Sequence, residues 1–103
     1  MVLQVTKWNI LPEKMDAYKE WSKTAVAANL SPPGVVEFRA YRMAAGTHQA
    51  VVTWEFANLE DWAKWHVHPN VQKTMEELYT YATNVTNEIW GPSPLVPEPV
   101  RPK

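Results

Sequence analysis

The passage from residue 50 to residue 69 constrains the fold most, because it joins a strand directly to a capped helix. Ala50-Val-Val-Thr-Trp54 is rich in β-branched and aromatic residues, which suit a half-buried pleated strand. Asn58 stands at the N-cap position of the next helix, and Asp61 three residues later can complete a capping box. Pro69 ends or kinks that helix, because it disfavours helical geometry in the preceding residue. The passage predicts a strand, a tight turn and a short helix.

Four strand-like segments and two helical segments follow one another in the order β-α-β-β-α-β. Alternating or β-branched apolar runs mark the strands, and apolar residues three or four apart mark the helices. This order predicts an α+β, ferredoxin-like sandwich, in which a four-stranded antiparallel sheet carries two helices on one face. The strands are predicted at 2–10, 35–43, 48–56 and 83–90, and the helices at 12–29 and 58–82, the second broken at Pro69.

Proline-rich sequence marks the end of the predicted domain. Five of the nine prolines fall in the last twelve residues. Such a segment forms an extended chain rather than a helix or a central strand. We therefore predict one ferredoxin-like domain over residues 1–91 and a proline-rich tail over residues 92–103.

The strands are apolar on both of their faces. In the second strand Val36 and Phe38 alternate with Val35 and Tyr41, so neither set of side chains is consistently polar. Helices cover only one face of a ferredoxin-like sheet, and the other face has to be covered by something else. A second copy of the chain is the simplest cover. We expect a homodimer through the sheet face, with the tail reaching across to the partner.

Charge and composition exclude several classes of protein. The formal net charge is −1, and the absence of a Lys/Arg block argues against a nucleic acid or a membrane as partner. The chain has no cysteine, which excludes disulfides, thiolate nucleophiles and cysteine metal sites. The first residues lack a signal-peptide pattern, and no segment is apolar enough to span a bilayer. A cytoplasmic protein is therefore expected.

The chain contains six tryptophans. This content indicates a large aromatic core, a dimer interface or a flat apolar ligand, and the sequence leaves these three open.

The strand-to-helix passage resembles a known family. Val51-Val-Thr-Trp54-Glu-Phe-Ala-Asn58-Leu-Glu-Asp-Trp62, the break at His68-Pro69 and the order of elements are similar to the dimeric α/β-barrel superfamily, and within it to the antibiotic biosynthesis monooxygenase (ABM) domain. The resemblance covers roughly residues 2 to 90. It implies the ferredoxin-like fold and a homodimer. Because the superfamily includes oxygenases, isomerases, cyclases and dechlorinating enzymes, it implies no single reaction.

Two groups of these relatives carry functional residues at characteristic spacings, and both spacings can be compared with this sequence. Cofactor-free, quinone-forming monooxygenases carry an Asn near the start of the second helix and a Trp four residues later. Asn58 and Trp62 match this spacing. The resemblance implies that their amide and indole groups hold a phenolate or its oxygen adduct, without any cofactor.

The second pattern is that of the haem-degrading relatives. These carry an Asn on the first strand, a Trp on the second helix and an iron-binding His about ten residues later. Asn9 and Trp62 match the first two places, but the third falls at Gln72. Haem as a cofactor would therefore require His66 or His68 as the iron ligand.

Two closely spaced histidines are the candidate bases. His66 follows the helical stripe of Leu59, Trp62 and Ala63, and its ordinary pKa suits proton abstraction at neutral pH. The alternative is a ring that only packs on Trp62. A metal site is not expected, because positions i and i+2 of a helix point apart and no third ligand lies nearby.

The sequence leaves three functional hypotheses open. The first is a cofactor-independent monooxygenase acting on a small aromatic or phenolic, polyketide-like substrate. The second is a non-enzymatic binder of a flat apolar ligand, including haem or a haem-degrading activity. The third is a cyclase or isomerase using a histidine base. The catalytic candidates are His66, His68, Asn58 and Trp62, and the substrate-binding candidates are Asn9, Trp54, Trp65, Met75 and Tyr79.

Overall fold

Four strands and three α-helices make up the fold in a computed structural model that describes all residues from Met1 to Lys103. A short 3-10 turn at Pro12–Lys14 leads into the first helix. The strands are β1 (Val2–Ile10), β2 (Val35–Arg42), β3 (Ala50–Phe56) and β4 (Ala82–Trp90), and the helices are α1 (Met15–Leu30), α2 (Leu59–His66) and α3 (Pro69–Tyr81).

The strands form one antiparallel sheet in the order β2-β3-β1-β4. This arrangement confirms the predicted α+β, ferredoxin-like fold. Strand β3 starts at Ala50 rather than at residue 48. The Gln49 N–H just before it is shared between the side-chain oxygen of Asn9 at 2.9 Å and the backbone carbonyl of Trp8 at 3.2 Å. The sheet ends at Trp90, and residues 91–103 form neither helix nor strand.

The second helical region is broken at Pro69, as predicted, and its two parts are the separate helices α2 and α3. His68 has an extended backbone, with φ −64° and ψ 136°, as expected for the residue before Pro69. Its Nδ1 atom accepts the backbone N–H of Asn70 at 3.1 Å and thereby caps α3. The proline thus ends one helix and starts another.

The core lies between the sheet and the helices. One buried cluster consists of Trp54, Phe56, Trp65 and Val71, and a second consists of Trp8, Leu78 and Ala82. The indole N–H of Trp65 donates to the Asn29 carbonyl at 2.7 Å, which ties α2 to the end of α1. These contacts orient α2.

The buried face of α2 differs from the predicted stripe. Leu59 is 57% exposed, whereas Trp65 is 1% exposed. Trp65 offers the largest apolar surface on the helix and a donor that finds a buried acceptor, so burying its side chain decides the rotation of α2. Trp62 and His66 are only partly buried.

The opposite face of the sheet carries no helix. Apolar side chains on this outer face include Leu3, Val51 and Trp90. Charged groups lie among them, such as the ion pair of Lys7 with Glu88 at 3.4 Å. The tail runs beside Met1, Leu3 and Trp90 at the end of this face. None of the helices is both long and apolar enough to cross a membrane.

Candidate functional site

A cavity of about 220 Å³ lies between α1, α3 and the helix-facing side of the sheet. Its walls are largely apolar, with residues from β1, β2 and β3 on one side and from the two helices on the other. The residues that matter for its chemistry are Thr6, Trp8, Tyr18, Trp54, Met75 and Leu78. A concave, apolar site with few polar groups is typical of small-molecule binding sites.

The cavity exists because α1 packs on α3 and not closely on the sheet. Trp21 of α1 stacks on Tyr81 at the end of α3, with 5.1 Å between ring centroids, and its indole N–H donates to Glu77 at 3.2 Å. Small side chains line the gap from both sides, Ala25 on α1 and Ala40 on β2. Ala40 is also exposed to solvent. The cavity therefore opens between α1 and the edge strand β2.

An unpaired hydrogen-bond donor lies in the wall of the cavity. Trp8 is 6% exposed, and its indole N–H is buried without an acceptor. Leaving such a donor unpaired costs free energy, and proteins keep it mostly where a ligand or a water supplies the acceptor. Trp8 thus lines the cavity and carries a buried donor that has no partner within the chain.

Tyr18 of α1 lies beside Trp8, with their rings edge to face at 6.4 Å. Burial raises the pKa of Tyr18 above its usual 10.0, and the nearby Trp8 N–H lowers it by a smaller amount, although it does not reach hydrogen-bond geometry. The phenol therefore stays protonated at physiological pH. It adds a second donor to the cavity, from the helix side.

Two of the other polar groups in the wall already have partners. The hydroxyl of Thr74 donates to the Asn29 side chain at 2.6 Å. The hydroxyl of Ser22 donates to the Lys19 carbonyl at 2.9 Å. These groups need no ligand. Tyr18 is the only titratable residue among those that line the cavity.

Thr6 connects the cavity to α2 through a chain of side chains. Trp62 donates its indole N–H to Gln4 at 2.8 Å, Gln4 donates to Thr6 at 3.3 Å, and Thr6 donates to Asn87 at 2.7 Å. Gln4 and Thr6 are 3% and 2% exposed, so this chain satisfies polar groups inside the core.

Of the predicted substrate-binding residues, the structure brings Trp54 and Met75 to the cavity. Trp65 packs behind Trp54, with 5.4 Å between ring centroids. Asn9 binds the loop before β3, and Tyr79 is 61% exposed on α3. These three do not line the cavity, and their binding role stays a prediction.

None of the four predicted catalytic residues lines the cavity. Asn58 caps α2 by accepting the Asp61 N–H at 2.8 Å, and His68 caps α3. Trp62 reaches the cavity wall only through Gln4, and His66 stacks on Trp62 with 5.0 Å between ring centroids. The catalytic roles of these residues stay predictions.

His66 keeps one unusual feature. Its Nδ1 atom is buried and has no hydrogen-bond partner, while its ring lies nearly parallel to Trp62 at 19°. No group of three potential metal ligands, with or without the two histidines, comes together within the chain. Neither ring lines the cavity, and a haem macrocycle is far larger than a space of about 220 Å³. The cavity does not fit haem.

The sequence reasoning missed Thr6, Trp8 and Tyr18. A signal was present in β1, where Gln4, Thr6 and Trp8 alternate on the strand face opposite to Leu3 and Val5. Polar residues on a face that helices must cover require partners inside the protein or in a ligand. The polar residues on this face of β1 therefore indicated that it forms the wall of a binding site.

Asn58 can be tested as a cap separately from any catalytic role. We expect Asn58→Ala to lower the free energy of unfolding by about 1 kcal/mol, because the Asp61 N–H loses its acceptor. Asn58→Ser restores a cap, so its stability and its activity should both match the wild type. Urea unfolding and an activity assay on both variants provide the measurement. A stable Asn58→Ser variant that has lost activity would instead assign catalysis to the amide.

The fold and the site together define a class of protein: an α+β sandwich with a small apolar cavity and a hydrogen-bond donor on each side of it. The family profile for antibiotic biosynthesis monooxygenases matches residues 1–77, and the chain belongs to that family. No curated protein matches the chain.

Solved structures with the same fold have different descriptions. SnoaB, a cofactor-independent oxygenase from Streptomyces nogalater, has a TM-score of 0.74 and 13% identity, over 94% of this chain and 97% of that one. A Dabb family protein from Mesorhizobium loti, described as having a ferredoxin-like fold, has a TM-score of 0.77 and 12% identity, over 89% and 96%. A candidate antibiotic biosynthesis monooxygenase from Nitrosomonas europaea has a TM-score of 0.71 and 15% identity, over 88% and 97%. At such identities these likenesses show the fold alone.

Proposed function

We propose that the chain is a cofactor-independent monooxygenase that oxidises a small phenol in the cavity between α1, α3 and the sheet. The observation that carries this proposal is the buried, unpaired N–H of Trp8 beside the protonated hydroxyl of Tyr18. Two neighbouring donors, one from each side of an apolar cavity, suit a phenolate oxygen. Membership of the monooxygenase family and the likeness to a cofactor-independent oxygenase support it.

The reaction balances with oxygen as the only co-substrate. A phenol with a free para carbon loses its O–H proton, and the electron-rich ring gives electrons to O₂. One oxygen atom bonds to the para carbon. The O–O bond then breaks, and the second oxygen leaves as water with the former ring and hydroxyl hydrogens. The phenol is oxidised by four electrons to a quinone, and one O₂ is reduced.

The chain would contribute by stabilising charge. Trp8 and Tyr18 would hold the phenolate oxygen, and the apolar walls would exclude water, which makes each hydrogen bond electrostatically stronger. Burial keeps Tyr18 protonated, so it serves as a donor and not as a base. Because no other titratable group lines the cavity, the substrate proton would leave to solvent as the phenol binds.

The size of the cavity limits the substrate. A dry cavity of about 150 Å³ is enough for benzene. The space of about 220 Å³ therefore suits a phenol of one or two fused rings. Larger polycyclic substrates would require α1 to move away from the sheet.

Oxygen uptake tests the proposal. Purified protein is supplied with α-naphthol in air-saturated buffer, dissolved oxygen is followed with an electrode, and the quinone is identified by mass spectrometry. We expect one O₂ consumed for each quinone formed, with a rate proportional to protein and unchanged by a metal chelator. An uptake rate equal to that of buffer alone, for α-naphthol and for other small phenols, would contradict the proposal.

A second candidate function is the binding of a small phenol without reaction. It is favoured by the lack of a base among the residues that line the cavity. Calorimetry under argon detects binding in both cases, and oxygen uptake in air separates them, since a mere binder releases heat with α-naphthol but consumes no oxygen. The same lack of a base disfavours a cyclase or an isomerase in this cavity.

We also propose that the chain forms a homodimer through the outer face of the sheet. Apolar Leu3, Val51 and Trp90 lie there beside charges of both signs, as a self-complementary face requires. The tail, which lies at the edge of this face, would reach the partner. Sedimentation equilibrium should give twice the chain mass of 11.8 kDa. A monomer at micromolar concentration would contradict this assignment, and the cytoplasmic location stays a prediction from the sequence.

Tyr18 should make the protein sensitive to alkali. Because burial raises its pKa in the folded state, the folded protein holds this proton more tightly than the unfolded chain does. Its contribution to the free energy of unfolding is complete below pH 10 and is lost as the pH rises through the folded pKa. Urea unfolding over an alkaline pH series should therefore show a decline that is shallower in Tyr18→Phe. If the free energy of unfolding fell equally with pH in the wild type and in Tyr18→Phe, the raised pKa would be contradicted.

A further inference from the structure

One row of side chains on β2 extends from the cavity to its mouth, the opening between α1 and β2. Phe38, Ala40 and Arg42 occupy alternate positions of β2, and the first two line the cavity. Arg42 lies directly opposite Ala50 of β3, which packs against the buried cluster that contains Trp8. Directly opposed residues of an antiparallel pair share one face of the sheet. Arg42 therefore lies on the helix side of β2, next in the row after the exposed Ala40 at the mouth.

A lysine of α1 lies on the other side of the mouth. Trp21 faces α3, because it stacks on Tyr81 there. Successive residues of a helix turn by about 100°, so Lys19, two residues before Trp21, points about 160° away from it. Ser22 and Val26, which lie on the same side of α1 as Lys19, line the cavity. The exposed Lys19 is therefore on the flank of α1 that borders the mouth.

The two cations lie at the same level along the strands. Tyr18, next to Lys19 in α1, contacts Trp8 edge to face. Trp8 pairs with Ala50 of β3, and Ala50 pairs with Arg42 of β2. Because β3 separates β1 from β2, the backbones of Trp8 and Arg42 are about 10 Å apart. Lys19 and Arg42 thus flank the end of the mouth that is nearest to Tyr18.

The charges of Lys19 and Arg42 are not neutralised within the chain. Neither forms an ion pair with a carboxylate. Arg39, by contrast, is bound to Glu37 on the outer face of the sheet. None of the residues that line the cavity carries a carboxylate. Two positive charges therefore border the mouth in a chain whose formal net charge is −1, and such a mouth attracts anions.

We propose that the substrate is a phenol with a carboxylate side arm, whose ring lies in the cavity and whose carboxylate lies at the mouth between Arg42 and Lys19. This inference rests on the proposed function in taking the cavity as the binding site of a phenol. Arginine binds a carboxylate through two parallel hydrogen bonds. The separation of Trp8 from Arg42 suits a single aromatic ring with a short aliphatic acid arm. The arm does not react; it orients the hydroxyl toward Tyr18.

The open mouth limits the size of the effect. An ion pair that is exposed to water contributes up to about 1 kcal/mol, which corresponds to about fivefold in affinity, and salt screens it. Arg42 and Lys19 together should therefore favour a carboxylate over a neutral group of the same size by about tenfold at low salt.

Two ligands of equal size test the inference by calorimetry under argon, where oxidation is impossible. They are meta-hydroxyphenylpropionate and the neutral meta-hydroxyphenylpropionamide, and both keep the carbon para to the hydroxyl free. We expect the wild type to bind the acid about tenfold more tightly than the amide at low salt. At high salt the preference should fall to about twofold, because the ions screen exposed charges.

Substitutions at exposed positions locate the charge that the acid contacts. Arg42→Gln should lower the preference for the acid about fivefold, and Lys19→Gln about twofold. Arg42→Lys keeps the positive charge and should keep most of the preference. Lys73→Gln removes an exposed positive charge from α3 and is the matched control, whose preference should equal that of the wild type.

The outcomes separate this inference from the proposed function. Equal binding of acid and amide by the wild type, no binding of either, or a preference that survives Arg42→Gln overturns the inference, even if α-naphthol consumes oxygen in air. A salt-sensitive preference for the acid that is lowered by Arg42→Gln and not by Lys73→Gln supports the inference, whether or not the acid is oxidised. Binding of the acid without oxygen uptake in air would overturn only the oxygenase activity.

Discussion

Replacing Trp8 with phenylalanine should lower kcat/KM for phenol oxidation by about a hundredfold, the loss typical of removing one donor from a developing or full oxyanion. Phenylalanine keeps most of the aromatic bulk in the core but has no N–H. The phenolate oxygen would then rest on Tyr18 alone, in a cavity that excludes water. Initial rates of oxygen uptake over a range of phenol concentrations provide the measurement.

Trp90→Phe is the matched control for this substitution. Trp90 lies on the outer face of the sheet, and its indole N–H donates to Glu88 at 3.0 Å, away from the cavity. The same chemical change there removes no donor from the cavity and keeps an aromatic ring in the proposed dimer face, so kcat/KM should stay within about twofold of the wild type. Equal loss in both variants would mean that the Trp8 effect reflects general destabilisation. Full activity of Trp8→Phe would remove this indole from the proposed site.

The largest expected loss of stability belongs to Trp65→Ala. Trp65 is 1% exposed and packs on Trp54 and Phe56 with ring centroids 5.4 and 5.0 Å away. Removing a buried tryptophan costs about 3–5 kcal/mol, and the Asn29 carbonyl that it leaves unpaired adds about 1–3 kcal/mol. A domain of this size is stable by about 5–15 kcal/mol in total. We expect a variant that is largely unfolded at 37 °C.

Urea unfolding followed by circular dichroism measures this loss. Leu59→Ala, on the same helix, is the control, because Leu59 is 57% exposed and its truncation should change the free energy of unfolding by under about 0.5 kcal/mol. Trp65→Phe should fall between the two, since it keeps the packing but loses the donor. A Trp65→Ala variant that is as stable as Leu59→Ala would contradict the central position of Trp65 in the core.

Much of the fold could be predicted because each element carries its own local signal. The strand at Ala50–Phe56 shows in its β-branched run, and the cap at Asn58 and the break at Pro69 follow from the chemistry of single residues. Alternation and capping act over a few residues, so they are readable before any tertiary contact is known. The rotation of α2 was less predictable, because burial of Trp65 outweighed the regular stripe.

The site was harder to predict than the fold. Asn58, His68 and Trp62 carry side chains that can bind ligands, but each also satisfies a backbone or side-chain group of the protein itself. Local sequence cannot show whether such a group finds its partner inside the chain. Trp8 is the reverse case. It looks like an ordinary core residue in β1, and only the packing of α1 shows that its N–H is left without an acceptor.

The order of the elements, the N-cap of α2, the proline between the helices and the likeness to the monooxygenase family were all determined by the sequence alone. They depend on interactions between near neighbours or on the pattern of the whole chain. The cavity was decided only by the tertiary structure. It depends on α1 resting on α3 through Trp21 and Tyr81, at a distance that leaves space above β1 and β3. Such a space depends on the relative positions of elements that are far apart in the sequence, so no single segment encodes it.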